Sequence, residues 1–230
     1  ADPEALVAAA GEHGLPALAL LDRDVLCGAP RCFGAAREKG LRARVGAEIT
    51  MEDGSVVPLL AATRIGYQNL CQLITEAKLT ERTPHVTRLV RGGTEPVAAA
   101  TNPCSHEQSH TPPEPGLSPH EPDPRDRKRP CFATWAELAR YAEGLIALSG
   151  DEEGPVRRAW RTAGPPAAGS ALQPLIAIFG RDRLYVEVQR HRLRGEEREL
   201  AFLRDLATAH RLPLLATGGV HYARPAQRAV

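Results

Sequence analysis

Six side chains in this sequence could do chemistry together: Asp22, Asp24, Glu48, Asp151, His191 and His221. Each stands at or just past the end of an apolar, strand-like run. In a βα architecture the strand ends gather on one face, and the loops there build the site. Carboxylates and imidazoles converging from separate strands suit a di- or trinuclear metal centre for phosphoester hydrolysis. There the ions activate water and neutralise charge on the phosphate. Taken singly, each residue reads more readily as a loop carboxylate or a helix cap, so the weight lies in their shared position. His191 stays open between a metal ligand and polar lining of the site's mouth.

The elements that must position these residues follow from periodicity. Asp2 reads as an N-cap and Pro3 as the first residue of a helix running to His13 and closed by Gly14. Leu15 to Leu21 is an apolar run of the kind buried on both faces of a sheet, ending at Asp22-Arg23-Asp24. Gly28 to Lys39 reads as a helix and Ala43 to Thr50 as the next strand. Glu52-Asp53-Gly54 is hairpin chemistry leading into a strand from Val56 to Ala62. Tyr67 to Leu79 is amphipathic, with Leu70, Leu73, Ile74 and Ala77 on one stripe. Thr134 and Glu137 form a capping box that opens a further helix. The strand Gly144 to Ser149, two helices, the strand Leu184 to Val188, the helix Glu196 to His210 and the strand Pro213 to Thr217 complete the series. Repeated βα units with one hairpin predict an α/β fold whose mostly parallel sheet is closed or nearly closed into a barrel. Trp135 and Trp160 fall in helices as packing residues.

Between about residues 80 and 133 the periodicity lapses. The stretch 103–130 holds eight of the chain's 20 prolines, so a flexible insertion is expected there. It contains Cys104, His106, His110 and His120, which read as polar loop residues before they read as a metal tract. The run Arg125 to Arg129 carries its own acid, Asp126, and reads as a solvated charge run.

Composition narrows the function classes. With 29 basic and 28 acidic side chains the net charge is +1, which argues against a domain whose main task is gripping nucleic acid by bulk charge. It leaves room for a domain tethered to something that does. Five scattered cysteines without a CxxC pair argue against a structural zinc site and for a reducing, cytoplasmic setting. No apolar run approaches membrane-spanning length and no signal peptide opens the chain. A chain opening on a helix cap, with Met51 as its single methionine, is expected to be truncated at the N-terminus.

Six segments, in order, resemble the PHP (polymerase and histidinol phosphatase) domains of bacterial C-family DNA polymerases, the polymerase III alpha type. Gly14 through Leu21-Asp22-Arg23-Asp24 resembles the family's "ALTDHD" motif, and Gly46-Ala47-Glu48 its "G-x-E". Gly66-Tyr67-Gln68-Asn69-Leu70 and Glu143 to Gly150 look like segments of the polymerase-type domains. Tyr185 to His191 and Ala216 to Ala223 match two more, the last usually "ATNDVHYA". The resemblance implies a PHP-type distorted (β/α) barrel over residues 1–230, incomplete at its N-terminus and carrying the Pro-rich insertion at about 80–133.

The departures from that pattern fall on the metal ligands. Arg23 stands where the family has a ligand histidine, Val56 where a histidine commonly opens the third strand, and Gly219 where "NDVH" has its aspartate. Asp151 follows "LSG" where cysteine is common. What survives is Asp22, Glu48 and His221, with Asp151 as a substitute. A guanidinium holds its proton at any working pH and has no lone pair for a metal. Arg23 is therefore expected to stand in for the cation among the carboxylates, as a pseudo-site.

The resemblance to the error-prone branch implies a parent enzyme that adds deoxynucleotides to a DNA primer in replication and damage-tolerant repair. Mg2+ would serve that enzyme's polymerase part, downstream of these residues. No cofactor is expected in the domain itself, and Zn2+ or Mn2+ only if the PHP site works. The implied partners are the polymerase part of the same chain, DNA through it, and other replication or repair proteins. Two readings compete: an active metal-dependent phosphoesterase or 3'-5' exonuclease, and a free-standing phosphatase of small metabolites. Arg23, Val56 and Gly219 weigh against the first, and the segments at 66–70 and 143–150 against the second.

Overall fold

Proline placement sets several of the helix starts. In the computed structural model, which describes residues 2–80 and 131–227, α1 (Pro3–Glu12), α2 (Ala29–Glu38), α5 (Pro155–Ala163) and α6 (Pro165–Phe179) each carry proline in the first turn. There its missing N–H leaves no gap in the helix ladder. α4 (Trp135–Arg140) opens on the expected capping box: Glu137 N–H donates to Thr134 Oγ1 at 3.2 Å, and Thr134 N–H donates to Glu137 Oε2 at 2.8 Å. α3 (Arg64–Leu79) begins three residues ahead of the expected Tyr67, because the Thr63 hydroxyl accepts from Gly66 N–H at 3.1 Å. Its stripe Leu70, Leu73, Ile74 and Ala77 is buried as its spacing predicts. α7 (Glu196–His210) has the expected bounds. Asp2 holds the N-cap position of α1, but its carboxylate pairs with Arg31 instead of a helix amide.

Six strands form one sheet in chain order: β1 (Ala17–Arg23), β2 (Arg42–Thr50), β3 (Val56–Ala61), β4 (Leu145–Leu148), β5 (Leu184–Gln189) and β6 (Leu214–Thr217). The hairpin strand β3 runs antiparallel to β2 and β4, and the other three pairings are parallel. Among the described residues the sheet is a curled half-barrel with β1 and β6 at its edges. Edge position corrects the reading of β1, in which none of the seven residues is buried. It has one strand neighbour, and a small cluster of Val7, Cys32 and Ala36 packs against Leu18 and Leu20. The Pro-rich stretch with Cys104, His106, His110 and His120, and the run Arg125 to Arg129, lie outside the described residues.

The main core lies between the sheet and helices α3 to α7, with Ile49, Leu59, Leu73, Leu145, Leu172, Phe179, Leu184 and Leu203 almost wholly shielded. Trp135 and Trp160 both pack against it, and Trp160 stacks on Phe202 of α7 at a centroid distance of 5.4 Å. Beside that stack Arg157, 7% exposed, bonds Glu199 of α7, while Arg161 joins Glu199 at 3.3 Å and Glu152 at 2.9 Å. No helix among the described residues is long and apolar enough to cross a membrane.

The segments at 66–70 and 143–150 meet each other. The Gly144 carbonyl accepts from Ala62 N–H at 2.9 Å and Thr63 N–H at 3.3 Å, and Asn69 Nδ2 donates to the Glu143 carbonyl at 2.9 Å. A Cβ on Gly66 would lie 1.9 Å from the Gly144 oxygen, so the first turn of α3 can reach the start of β4 only without a side chain. Gly66→Ala is expected to cost about 1–3 kcal/mol by forcing these backbones apart. A lower urea midpoint with an unchanged denaturant slope would show it.

Candidate functional site

The register of β1 on β2 places Arg23 opposite Glu48, and residues directly opposite share a face of the sheet. Arg23 Nε donates to Glu48 Oε2 at 3.0 Å, and Nη2 donates to Glu153 Oε2 at 2.6 Å. Glu153 is delivered by the turn after β4. There the Asp151 carboxylate accepts from Glu153 N–H at 2.9 Å, and Gly154 N–H donates to the Asp151 carbonyl at 3.0 Å. The turn closes tightly: a Cβ on Gly150, at φ +82, would lie 2.7 Å from the Gly154 Cα. One guanidinium thus ties the ends of β1, β2 and β4 together.

Burial opposes the charge on Arg23, but its hydrogen bonds to Glu153 and Glu48 and their charges outweigh that, so its pKa rises above the ordinary arginine value. The side chain keeps 40% of its surface exposed, so solvent screens these pairs and their value lies in geometry more than in stability.

Below them lies a carboxyl that sequence reasoning missed. Glu187, on β5, is only 5% exposed. Its Oε1 accepts from Gln189 Nε2 at 3.0 Å and from the Thr217 hydroxyl of β6, while Oε2 is buried with no partner among the described residues. Burial pushes its pKa up; the bonds from Thr217 and Gln189 pull the other way, and the charges of Asp151 and Glu48 add to the rise. The signal for Glu187 was present in the alternation of Tyr185, Glu187 and Gln189 against Val186 and Val188. Glu153, two residues past Asp151, had no such signal.

The remaining site residues go elsewhere. Asp22 takes the Gly28 amide at 3.0 Å at the start of α2, where a Cβ on residue 28 would lie 2.8 Å from its Oδ2. Asp24 adopts the left-handed φ of 55° and accepts from the Thr50 amide at 2.8 Å and hydroxyl at 2.7 Å, fastening β1 to β2. His191 is exposed, with its Nε2 3.2 Å from Gln189 Oε1, as polar lining of the strand end. His221 is exposed and faces Tyr222, ring centroids 6.4 Å apart. Gly219 has a left-handed φ of +54, and a Cβ there would meet Gln189 Oε1 at 3.0 Å, so a side chain at this position is strained and crowds Gln189. Val56 is buried in the core.

Among the described residues no three His, Cys, Asp or Glu side chains are placed to hold a metal ion. The nearest acids, Glu48 and Glu153, already share a cation that cannot be displaced by deprotonation.

The raised pKa of Glu187 has a stability consequence. Its contribution is complete below the ordinary glutamate value of 4.5 and is lost as pH rises through the higher folded value. Glu187→Gln keeps the shape and removes that loss. Its stability relative to wild type is expected to climb in urea melts as pH rises above the ordinary glutamate value of 4.5. A difference that stays flat would mean Glu187 titrates alike in the folded and unfolded chain.

Comparison with known proteins agrees with this architecture. The family model described as "PHP domain" matches residues 1–191. An error-prone DNA polymerase of Symbiobacterium thermophilum is 35% identical over 217 residues, covering 94% of this chain and 17% of that protein. The DNA polymerase III subunit alpha of Caulobacter vibrioides is 30% identical over 227 residues, covering 94% of this chain and 16% of its own length. The chain thus spans about one-sixth of these relatives. An amidohydrolase from Chromobacterium violaceum shares the fold at 14% identity, with a TM-score of 0.52 over 97% of this chain and 83% of that one. With the half-barrel sheet and the motif order both in place, the chain belongs to the PHP domain family.

Proposed function

We propose that this chain is the PHP domain of an error-prone DNA-directed DNA polymerase, and that the domain is a structural module without catalysis of its own. The polymerase assignment is supported by relatives that match nearly the whole chain and are named error-prone DNA polymerase and DNA polymerase III subunit alpha. The structural role rests on one observation: the Arg23 guanidinium sits on Glu48 and Glu153 where a metal-binding histidine would otherwise stand. On this reading Asp22, Glu48, Asp151 and His221 are the remnant of a metal site. Asp22 has been turned to capping α2, and Asp151 shapes the turn that presents Glu153 to Arg23.

The parent enzyme would extend a DNA primer in replication and damage-tolerant repair in the cytoplasm. Its polymerase part would carry the Mg2+ chemistry and contact DNA and other replication or repair proteins. The PHP domain would brace it, with Arg23 holding three strand ends in register where relatives with an intact site would use ions. An active phosphoesterase or exonuclease would need lone pairs where this chain places a permanent cation.

Metal content decides between these roles. The purified chain, incubated with Mn2+ or Zn2+ and desalted, is expected to retain no stoichiometric metal by mass spectrometry. It is also expected to release no nucleotide from a 3'-labelled oligonucleotide. A tightly held ion accompanied by hydrolysis would make the domain an enzyme in its own right.

A further inference from the structure

The loop after β5 and the first turn of α7 concentrate positive charge that has no ion pair among the described residues. Four of the nine residues from 190 to 198 are arginine: Arg190, Arg192, Arg194 and Arg198. The stretch has two acids, and both are taken. Glu196 turns inward and accepts from the His191 amide at 2.6 Å and the Leu193 amide at 3.2 Å. Glu197 pairs with Arg190 at 2.6 Å. Arg192, Arg194 and Arg198 are exposed and have no ion pair among the described residues. The grip of Glu196 on the loop amides also fixes Arg192 at a left-handed φ of 59°, so the loop presents its arginines from a held backbone.

Apolar and aromatic surface lies beside these charges. β5 and β6 are adjacent and parallel, with Gln189 opposite Thr217, so the loops leaving them emerge together. The close approach of Gly219 to the Gln189 side chain confirms that the loop after β6 lies against the end of β5. Leu193 from the first loop is 67% exposed, and Val220 and Tyr222 from the second are 64% and 45% exposed. Guanidiniums interleaved with an open aromatic ring and aliphatic side chains suit a strand whose bases are unstacked. Phosphates pair with the arginines, and a base lies on the ring. A duplex would hide its base faces from Tyr222, and an acidic peptide would leave the apolar side chains without a partner.

We propose that the loop 190–198, together with Tyr222 and Val220, is a contact site for single-stranded nucleic acid, read through phosphates and base faces without sequence preference. The site lies at the β5–β6 end of the sheet and uses none of the groups of the Arg23 cluster. It deepens the polymerase reading by giving this domain a surface for template or displaced strand, and it rests on that reading for its biological setting. The near-zero net charge of the chain is no obstacle, because the contact is local and short.

The test is fluorescence anisotropy of a labelled oligothymidylate titrated with the 230-residue chain at several salt concentrations. Binding is expected to weaken with salt. The combined change Arg192→Ala, Arg194→Ala and Arg198→Ala should lower affinity at least tenfold at low salt and flatten the log–log salt slope by about two, as for three lost phosphate contacts. Tyr222→Ala should weaken binding by about fivefold or more at any salt, as for one lost stacked base. A control removing Arg37, Arg42 and Arg44, exposed arginines elsewhere on the chain, should leave both quantities unchanged; circular dichroism reports that each variant is folded. Equal losses in the two triple variants, or wild-type affinity in the loop variant, would overturn the proposal. So would polyglutamate or duplex competing as well as unlabelled oligothymidylate. Bound metal in the Arg23 cluster would overturn the structural reading and leave this contact standing, so the two can fail separately.

Discussion

The rim of this half-barrel depends on where the carboxylates at its strand ends find positive charge. Glu48 comes from β2 and Asp151 and Glu153 from the turn after β4, and Glu187 lies buried on β5 within reach of their charge. Carboxylates so gathered repel one another unless a cation or a proton intervenes. This sequence uses one of each. Arg23 takes Glu48 and Glu153 with two arms of its guanidinium, and burial shifts Glu187 toward its protonated form. A divalent ion could satisfy the same oxygens, but only if lone-pair donors surrounded it. Arg23 neutralises acids from two directions and needs no further ligand.

That arrangement constrains the backbone around it. For Arg23 to face Glu48, β1 must keep its register on β2, and Asp24 secures this by binding both the amide and the hydroxyl of Thr50. For Glu153 to reach the guanidinium, the turn after β4 must close at Gly150 and Gly154, where side chains would collide. The same turn carries Glu152 to Arg161, and Arg161 shares Glu199 with Arg157. The rim and the packing of α5 on α7 are therefore linked through three consecutive residues, 151 to 153, each with its own charge partner or amide. Removing one member of the Arg157–Glu199 pair would leave its buried partner uncompensated, the costly way to break such a network.

Much of the fold was legible because its signals are local. The capping box at Thr134, the stripe on α3 and the bounds of α7 depend on contacts within a few residues, and all appear as the spacing implies. The reading of β1 failed for the opposite reason. An apolar run announces burial but not how many neighbours a strand will have, and at an edge those side chains stay partly open. Asp2 holds the N-cap position its spacing implies, while Arg31, distant in sequence, takes its carboxylate. At the site, the pairing of Arg23 with a carboxylate could be read from the sequence, and Glu48 is one of its partners. Glu153 could not, because its role follows from a turn that delivers it across the rim. Glu187 could have been noticed: an acid in the middle of a strand of valines must be buried with partners or with a proton.

The charge composition shows most clearly what a total conceals. A net charge of +1 argues against bulk binding of nucleic acid, and it averages two unlike sites. At the β1–β4 end, acids outnumber the one cation that binds them, and that cation is spent on the fold. After β5, the two acids opening α7 are engaged, one with backbone amides and one with Arg190, and three guanidiniums have no ion pair among the described residues. The same bookkeeping, carried out residue by residue, separates charge that builds the domain from charge available to a partner. One sheet thus holds two answers: an acidic rim closed on itself by an arginine, and a basic segment whose backbone is held by a glutamate.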